Sequence, residues 1–387
     1  MQNGYCYTPR GKRIQLNSVV KETALHLLGQ HDLLLEEREY NGFRRMFFQN
    51  AQAVWKEEFP GILGADLFAR VEDAMREPRK NWTHALVGAL SFGGFLATVS
   101  SYFGAESEAR AKIARDNTVL WNLIIGLADK IIDGSPEGGR FMDDLFAGGM
   151  RGLMDRDYTN FEIPADLNED QDLLIRVFVA LMKSFVQRLH SFQERHPDNE
   201  RVERLIAIND EMIRAESSAR KIPLNREADA GTVHDALLDK NALPLKSCMY
   251  CAFLFADPDE TASFEFIEEV AIALGGLIMI IDDLSDLDAD IHDNQWNSCH
   301  LELLKAEKLQ PCPRCGSEVC PNHVLSSIKE NDIVQLLCDR LVEQCRHYIE
   351  LCDDHFFDKR ISSRKPTLVW LYGWMSLPPL VMNPSES

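Results

Sequence analysis

Positive charge is scarce in this chain. Among 387 residues, Lys and Arg total 41 against 61 Asp and Glu, a formal net charge of −20. Like charge repels phosphate backbones and anionic lipid, so nucleic acid and membrane surface are not expected partners. Long apolar runs are missing too. Counting glycine, the longest is the twelve residues Val270 to Ile281, too short to cross a bilayer as a helix, so no membrane span is expected. The first twenty residues carry Arg10, Lys12 and Arg13 but no apolar block; no secretory signal is visible and a cytoplasmic location is the expectation. There is no G-x-S-x-G elbow and no G-x-x-x-x-G-K-[ST] loop, which sets aside serine-nucleophile and P-loop chemistry. None of the eleven His has Glu or Asp three residues before it, so a di-iron bundle built on Glu-x-x-His is excluded. Alternating runs bounded by Asn-Gly or Asp-Gly turns are absent, and no repeat of solenoid length recurs.

What is present is helical periodicity. Apolar residues make up 45% and charged residues 26%, the balance of a globular chain. Helices are expected at Ser18–Gly29, Phe43–Phe59 (stopped by Pro60-Gly61), Ala65–Arg76, Trp82–Phe103 and Ser107–Asp133. Further ones are expected at Asp170–Arg195, Asn199–Arg220, Ser263 to about Asp290, Asn331–His355 and Pro366–Leu377. Loops are expected at 134–139, 222–229 and 309–323. These features predict one all-α domain over 1–387, a helical bundle with buried central helices and a Cys-rich insertion at about 309–323.

The acids sit in unusual places. The apolar stretch Trp121 to Ala128 runs directly into Asp129-Lys-Ile-Ile-Asp133, and residues four apart share a helix face. Two carboxylates at the C-terminal end of a helix repel each other and oppose its dipole, so a cation should compensate. The pattern recurs where Gly275 to Ile281 leads into Asp282-Asp-Leu-Ser-Asp-Leu-Asp-Ala-Asp290. Asp282, Asp286 and Asp290 form one stripe, with Asp283 beside it. Either cluster alone is compatible with a solvated helix end. Both together, each continuing a strongly apolar helix, describe hard oxygen ligands at the mouth of a greasy pocket. Mg²⁺ takes such ligands, keeps waters, and is commonly shared with substrate phosphates.

These residues resemble the class I terpenoid synthase superfamily, all-α bundles with a central apolar cavity and two acidic motifs on opposed helices. Asp129-Lys-Ile-Ile-Asp133 looks like a D-x-x-x-D form of the first motif, and Asp282, Asp286 and Asp290 stand at the spacing of the second. The second motif departs from the usual Ser/Thr and Glu by carrying Asp at both positions. The chain's length beyond a typical microbial cyclase, the absent double Asp in the first motif and the Cys-rich insertion are similar to the atypical fungal humulene synthases of tropolone-sesquiterpenoid pathways. The large-terpene synthases of bacilli are a more distant likeness. The resemblance implies three Mg²⁺ bound by Asp129, Asp133, Asp282, Asp283, Asp286 and Asp290, and ionisation of farnesyl diphosphate with cyclisation to α-humulene. It also implies basic diphosphate contacts, for which Arg220, Lys221 and Arg346 with Tyr348 are the candidates; Ser285 is a candidate helper to a metal. Aromatic faces stabilise cations. Phe92, Phe95, Trp121, Phe178, Phe185, Tyr250, Phe253 and Trp296 are the candidates for that role or for plain core packing, with Trp121 and Phe253 placed foremost. A homodimer is compatible with this reading.

Ten cysteines do not suit a disulfide scaffold in a chain this long. Cys338, Cys345 and Cys352 recur every seven residues and read as core. Cys312, Cys315, Cys320 and His323 have C-x₂-C-x₄-C-x₂-H spacing, which suits a closed structural Zn²⁺ site or an unmetallated loop. Two rivals to the cyclase remain. A chain-elongating isoprenyl diphosphate synthase shares the fold and metal logic, and Asp282-Asp283-Leu-Ser-Asp286 fits its motif. A non-catalytic helical interaction protein with a zinc loop is the other.

Overall fold

The computed structural model describes residues 10–76, 90, 92–98, 108–158, 163, 167–197, 200–219, 221–256, 264–293, 295–317, 320–355 and 362–381, leaving aside the side chains of 10–17, 133, 217, 288, 292, 293 and 355. The described helices are α1 (Arg10–Gln30), α2 (Glu37–Glu57), α3 (Phe59–Met75), α4 (Glu108–Gly134), α5 (Pro136–Phe146), α6 (Gly149–Met154), α7 (Glu169–Arg195) and α8 (Arg201–Ala219). They continue with α9 (Ala230–Ala256), α10 (Phe264–Ser285), α11 (Leu287–Asp293), α12 (Ser298–Lys305), α13 (Pro321–Glu330), α14 (Ile333–His355) and α15 (Arg364–Trp374). Residues 92–98 are helical as well; the rest of the helix expected at Trp82–Phe103 lies almost wholly outside the described residues. Among the described residues there is no strand, only a parallel bridge between Glu36 and Leu380. The chain is all-α, as its periodicity predicts.

The middle of the bundle is α9, which packs against α10, α8 and α4. No helix is expected there from the sequence, for two reasons. Residues 245 and 247–254 are buried on every side, so no amphipathic period marks them. Pro244 also lies inside α9, where proline removes an amide donor and is normally read as a break. The packing of a buried helix overrides that local cost.

α10 is the most apolar helix, and nearly every residue from Val270 to Ile281 is buried. Each Leu or Ile so buried contributes about 1.5–3 kcal/mol relative to exposure. Gly275 marks its closest approach to α9: a Cβ there would lie 2.6 Å from Cα of Ala242. α14 covers another side of α10 and holds Cys338, Cys345 and Cys352 fully buried, a core stripe as their spacing predicts.

Several boundaries differ from expectation. Pro60 does not stop a helix; it stands in the first turn of α3, where its missing N–H costs nothing. The expected loop at 134–139 is mostly the start of α5, because Ser135 accepts a hydrogen bond from the Gly138 amide (3.0 Å) and Pro136 opens the helix. The single helix expected from Ser263 to Asp290 is two, with α10 ending at Ser285 and α11 beginning at Leu287.

Candidate active site

A cavity of about 1530 Å³ opens between α2, residues 92–98, α4 to α9 and α15. Its buried wall is apolar and aromatic, with Trp121, Ile124, Met150 and Trp370 among the lining residues. Its exposed lining is charged: Asp129 and Lys130 from α4, Asp143 from α5, Lys221, and Lys240 from α9. A greasy chamber with a charged rim is thereby formed.

Trp121 faces this chamber and is fixed by two contacts. Its indole N–H donates to Ser247 Oγ at 2.6 Å, and Ser247 in turn donates to Asn209 Oδ1 at 2.7 Å. Its ring stacks on Phe185 with centroids 4.1 Å apart. Phe92 lines the chamber beside Trp370 and Trp374, and Phe95 stacks flat on Trp370 at 5.0 Å from the chain's interior. The other aromatic candidates do not reach it. Phe178, Phe185, Tyr250 and Phe253 are core residues, and Trp296 lies on the connection before α12. The backbone carbonyl of Phe253 accepts a hydrogen bond from Arg201 at 3.2 Å. Trp370 and Trp374 were not legible as site residues because they sit on the last short helix, far along the chain from both acidic clusters.

The acidic clusters fall on different helices, α4 and the α10–α11 segment, and they feel each other's charge. Burial lifts the Asp282 carboxyl to about 6, with Asp286 and, across the bundle, Asp129 adding to the effect; Lys240 and Lys130 oppose it. Asp290 is lifted to about 6 by burial and by Asp282 and Asp286, against a 3.4 Å hydrogen bond from Asn297 and the charge of Lys240. Although the helix breaks at Asp286, the backbone bonds Asp286 N to Asp282 O (2.8 Å) and Asp290 N to Asp286 O (3.0 Å) keep the three acids one turn apart. Lys240 is thus shared between the cavity rim and the second acidic stretch. It was missed in the sequence because its helix was.

Asp283 feels the charge of Asp290 and Asp282 but is turned away from them. It is buried against α12, where it accepts from the Ser298 backbone amide (2.7 Å) and from Ser298 Oγ, and burial pushes its carboxyl up to about 7. It acts as an anchor for the start of α12, so the expectation that it ligates Mg²⁺ is corrected. Asp133 continues α4 one turn beyond Asp129, and its side chain is outside the described residues, as is all of Arg220. Lys221 does line the cavity. Arg346 and Tyr348 are corrected as diphosphate contacts. Arg346 is solvent-exposed on α14 beside Glu350 (3.8 Å), Tyr348 is fully buried, and no residue of α14 lines the cavity. Cys312, Cys315, Cys320 and His323 also stand away from it.

The donor set fits a hard divalent cation. Asp129, Asp282 and Asp286 bring negative charge into one field, and Ser285 Oγ between the latter two is a buried hydroxyl with no partner among the described residues. Oxygen-only ligands and an acidic cluster only partly offset by Lys240 and Lys130 are what Mg²⁺ relieves.

No protein-family model matches the chain, and no curated protein matches it either. Solved structures do. A geranylgeranyl pyrophosphate synthase of Lactobacillus brevis aligns with TM-score 0.52 at 12% identity, covering 88% of this chain and 98% of that one. The geranylgeranyl pyrophosphate synthetase of the archaeon Geoglobus acetivorans aligns with TM-score 0.52 at 13% identity, covering 85% and 99%. At such identities what is shared is the fold. The chain has the all-α fold of these prenyl synthases, the helical class that its acidic motifs resemble. No described helix is long and apolar enough to cross a membrane.

Proposed function

We propose that this chain is a Mg²⁺-dependent enzyme that ionises an allylic prenyl diphosphate. The observation that carries the reading is that Asp129, on the rim of an aromatic-walled cavity, stands within the field of Asp282, which belongs to an acidic stretch just outside the cavity lining. When bound, Mg²⁺ supplies Lewis-acid stabilisation of the departing diphosphate. Asp129, Asp282 and Asp286 would hold it, with Asp133, Asp290 and Ser285 adjacent. Lys240 and Lys221 offer donors to diphosphate oxygens, and the chamber holds the prenyl chain. Trp121, Phe92 and Trp370 exclude water and present π-faces to the allylic cation, which would otherwise be quenched.

Two fates of the cation divide the reading. Transfer to a second isoprenoid unit, making a longer prenyl diphosphate, is supported by the synthases that share the fold. It displaces cyclisation as the first choice. Arg44 and Arg45, exposed on α2 and lining the same cavity, suit a second diphosphate, since guanidinium groups grip phosphate bidentately. Cyclisation of farnesyl diphosphate to α-humulene is the second reading. It is favoured by the first motif, where Asp129 and Asp133 stand without a double Asp.

The experiment is incubation of the full chain with geranyl, farnesyl and geranylgeranyl diphosphates, each with and without isopentenyl diphosphate, in Mg²⁺ and in EDTA. Longer diphosphates formed only with isopentenyl diphosphate establish elongation. A cyclic hydrocarbon seen by gas chromatography–mass spectrometry without it establishes cyclisation. No Mg²⁺-dependent product in any arm overturns both.

Lys240 gives a sharper expectation, because it faces diphosphate and carboxylates alike. Lys240→Met should raise KM for the prenyl diphosphate by about 10-fold, the loss of one charge-assisted hydrogen bond. It should also tighten Mg²⁺ binding, since a competing cation leaves the acids. Kinetics paired with calorimetric Mg²⁺ titration reads both; a KM unchanged by the substitution removes Lys240 from the site.

A further inference from the structure

The connection between α12 and α13 carries chemistry that the prenyl site does not use. It begins at Ala306 and runs to Cys320, where α13 starts. Pro311-Cys312-Pro313-Arg314-Cys315-Gly316 folds into a tight knuckle. The Gly316 amide donates to the Cys312 carbonyl at 2.8 Å, and the Cys312 amide donates to the Ser317 carbonyl at 2.8 Å. Gly316 has φ +73°, a conformation in which a Cβ would be strained. The turn directs the backbone amides of Arg314 and Cys315 at the Cys312 sulfur, which also hydrogen-bonds with the thiols of Cys315 and Cys320. Amides aimed at a sulfur stabilise it as thiolate.

The third cysteine comes from a different element. Cys320 is the residue that caps α13, and its side chain makes no capping bond to the helix amides. It points instead to the knuckle. The Sγ atoms of Cys312, Cys315 and Cys320 all lie within 4.8 Å of one another. With Zn–S bonds of about 2.3 Å, the edge of a ZnS₄-type tetrahedron is about 3.8 Å, so the three thiols need only small rotations to share one ion. His323 stands three residues past Cys320 in the first turn of α13; its ring nitrogens lie outside the 4.8 Å group of the three thiols, so its side chain must swing to complete a site there. Its Nε2 is buried and has no hydrogen-bond partner among the described residues. A buried imidazole nitrogen left unpaired costs free energy unless a partner is supplied.

We propose that Cys312, Cys315, Cys320 and His323 bind a structural Zn²⁺ that clips the α12–α13 connection. On binding, the three thiols release their protons to solvent and the neutral imidazole donates its lone pair, closing a four-coordinate site with no position for substrate. None of the four lines the prenyl cavity, so the ion takes no part in ionisation. Its work is local. Among its described residues the connection has no helix of its own between Lys305 and Pro321 and only Leu309 enters the core cluster, so an ion would join its knuckle to the cap of α13.

The test is metal content of the full chain, purified under reducing conditions, loaded with Zn²⁺ and freed of excess by gel filtration. About one zinc per chain is expected, as for a single closed site. Cys315 is exposed, so Cys315→Ser should leave the fold intact and bring the retained zinc close to nil. Loaded with Co²⁺ instead, the parent should show a thiolate-to-metal charge-transfer band that Cys315→Ser lacks. His323→Ala should bind more weakly, and His323→Cys should restore binding. Limited proteolysis should cut the connection faster in the zinc-free protein. No zinc retained by the parent after loading, or equal zinc in parent and Cys315→Ser, overturns the site. Asp129→Asn should keep its zinc in full, so failure of the prenyl reading and failure of the zinc site are separable.

Discussion

An Asp282→Asn chain should lose about 10²–10³-fold in turnover, the cost of removing one preorganised electrostatic element, while melting at a higher temperature than the parent in Mg²⁺-free buffer at pH 8. The two effects have one origin. Burial and the neighbouring acids raise the folded carboxyls of Asp282 and Asp290 to about 6 and of Asp283 to about 7, against 3.8 for the ordinary side chain. A raised acid binds protons more tightly in the folded chain than in the unfolded one, so it opposes folding as pH rises through that interval. These three acids should therefore lower the stability of the metal-free protein between pH 4 and pH 7, partly offset by His300, whose burial holds its imidazole down at about 4. Asn carries no charge to desolvate, so the substitution relieves that penalty. Mg²⁺ relieves it too, and at 100 times its Kd a ligand adds about 2.7 kcal/mol. The Mg²⁺-induced rise in melting temperature should be larger at pH 8 than at pH 5. Scanning fluorimetry across that range, with and without Mg²⁺, reads the whole pattern. A metal-free protein that gains stability towards pH 8, or an Asp282→Asn chain that melts lower there, refutes the electrostatic account.

Gly275→Val should destabilise the chain by about 3 kcal/mol without touching the acids, because overpacking a close helix contact forces backbone apart. The added Cβ would meet the Ala242 Cα and Cβ at 2.6 Å and its N at 2.9 Å, and backbone atoms cannot swing aside as a side-chain end can. Gly276, one residue on, would meet only side-chain ends, Gln344 at 3.4 Å and Leu238 Cδ1 at 3.9 Å, so Gly276→Ala should be close to neutral or gain from better helix propensity. Urea denaturation of the two variants side by side checks the contrast. Equal stability of both would mean that α9 and α10 are less closely packed than described.

The sequence and the structure agree best where periodicity had something to report. α7, α8 and α14 each carry one polar and one apolar face, and with α4, whose polar opening marks its start, they stand within a few residues of their expected bounds. α9 was invisible for the opposite reason: a helix buried on all sides has no face to show, and Pro244 imitates a terminator. Because α9 supplies Lys240, the missing helix hid the cation that links the two acidic clusters. Asp129, Asp282 and Asp286 were legible because acids that continue an apolar helix conflict with local physics. Asp283 looked equivalent in one dimension, but adjacent helical residues point about 100° apart, and that rotation turns it to Ser298. The aromatic wall was legible only at Phe92 and Trp121. Trp370 and Trp374 reach the chamber through chain topology, which a single sequence does not encode locally.

Buried cysteines give the molecule a further property. Cys248, Cys251, Cys299, Cys338, Cys345 and Cys352 are all free and buried, and burial pushes every one of these thiols far above neutrality. Alkylating reagents attack thiolates, so in the native chain these six are silent, and each becomes reactive only when its own helix opens. They are spread over α9, α10's neighbour α12 and α14, the helices that enclose the centre of the bundle. Timed alkylation followed by peptide mass spectrometry thus yields an intrinsic record of the order in which those helices come apart, with no label introduced.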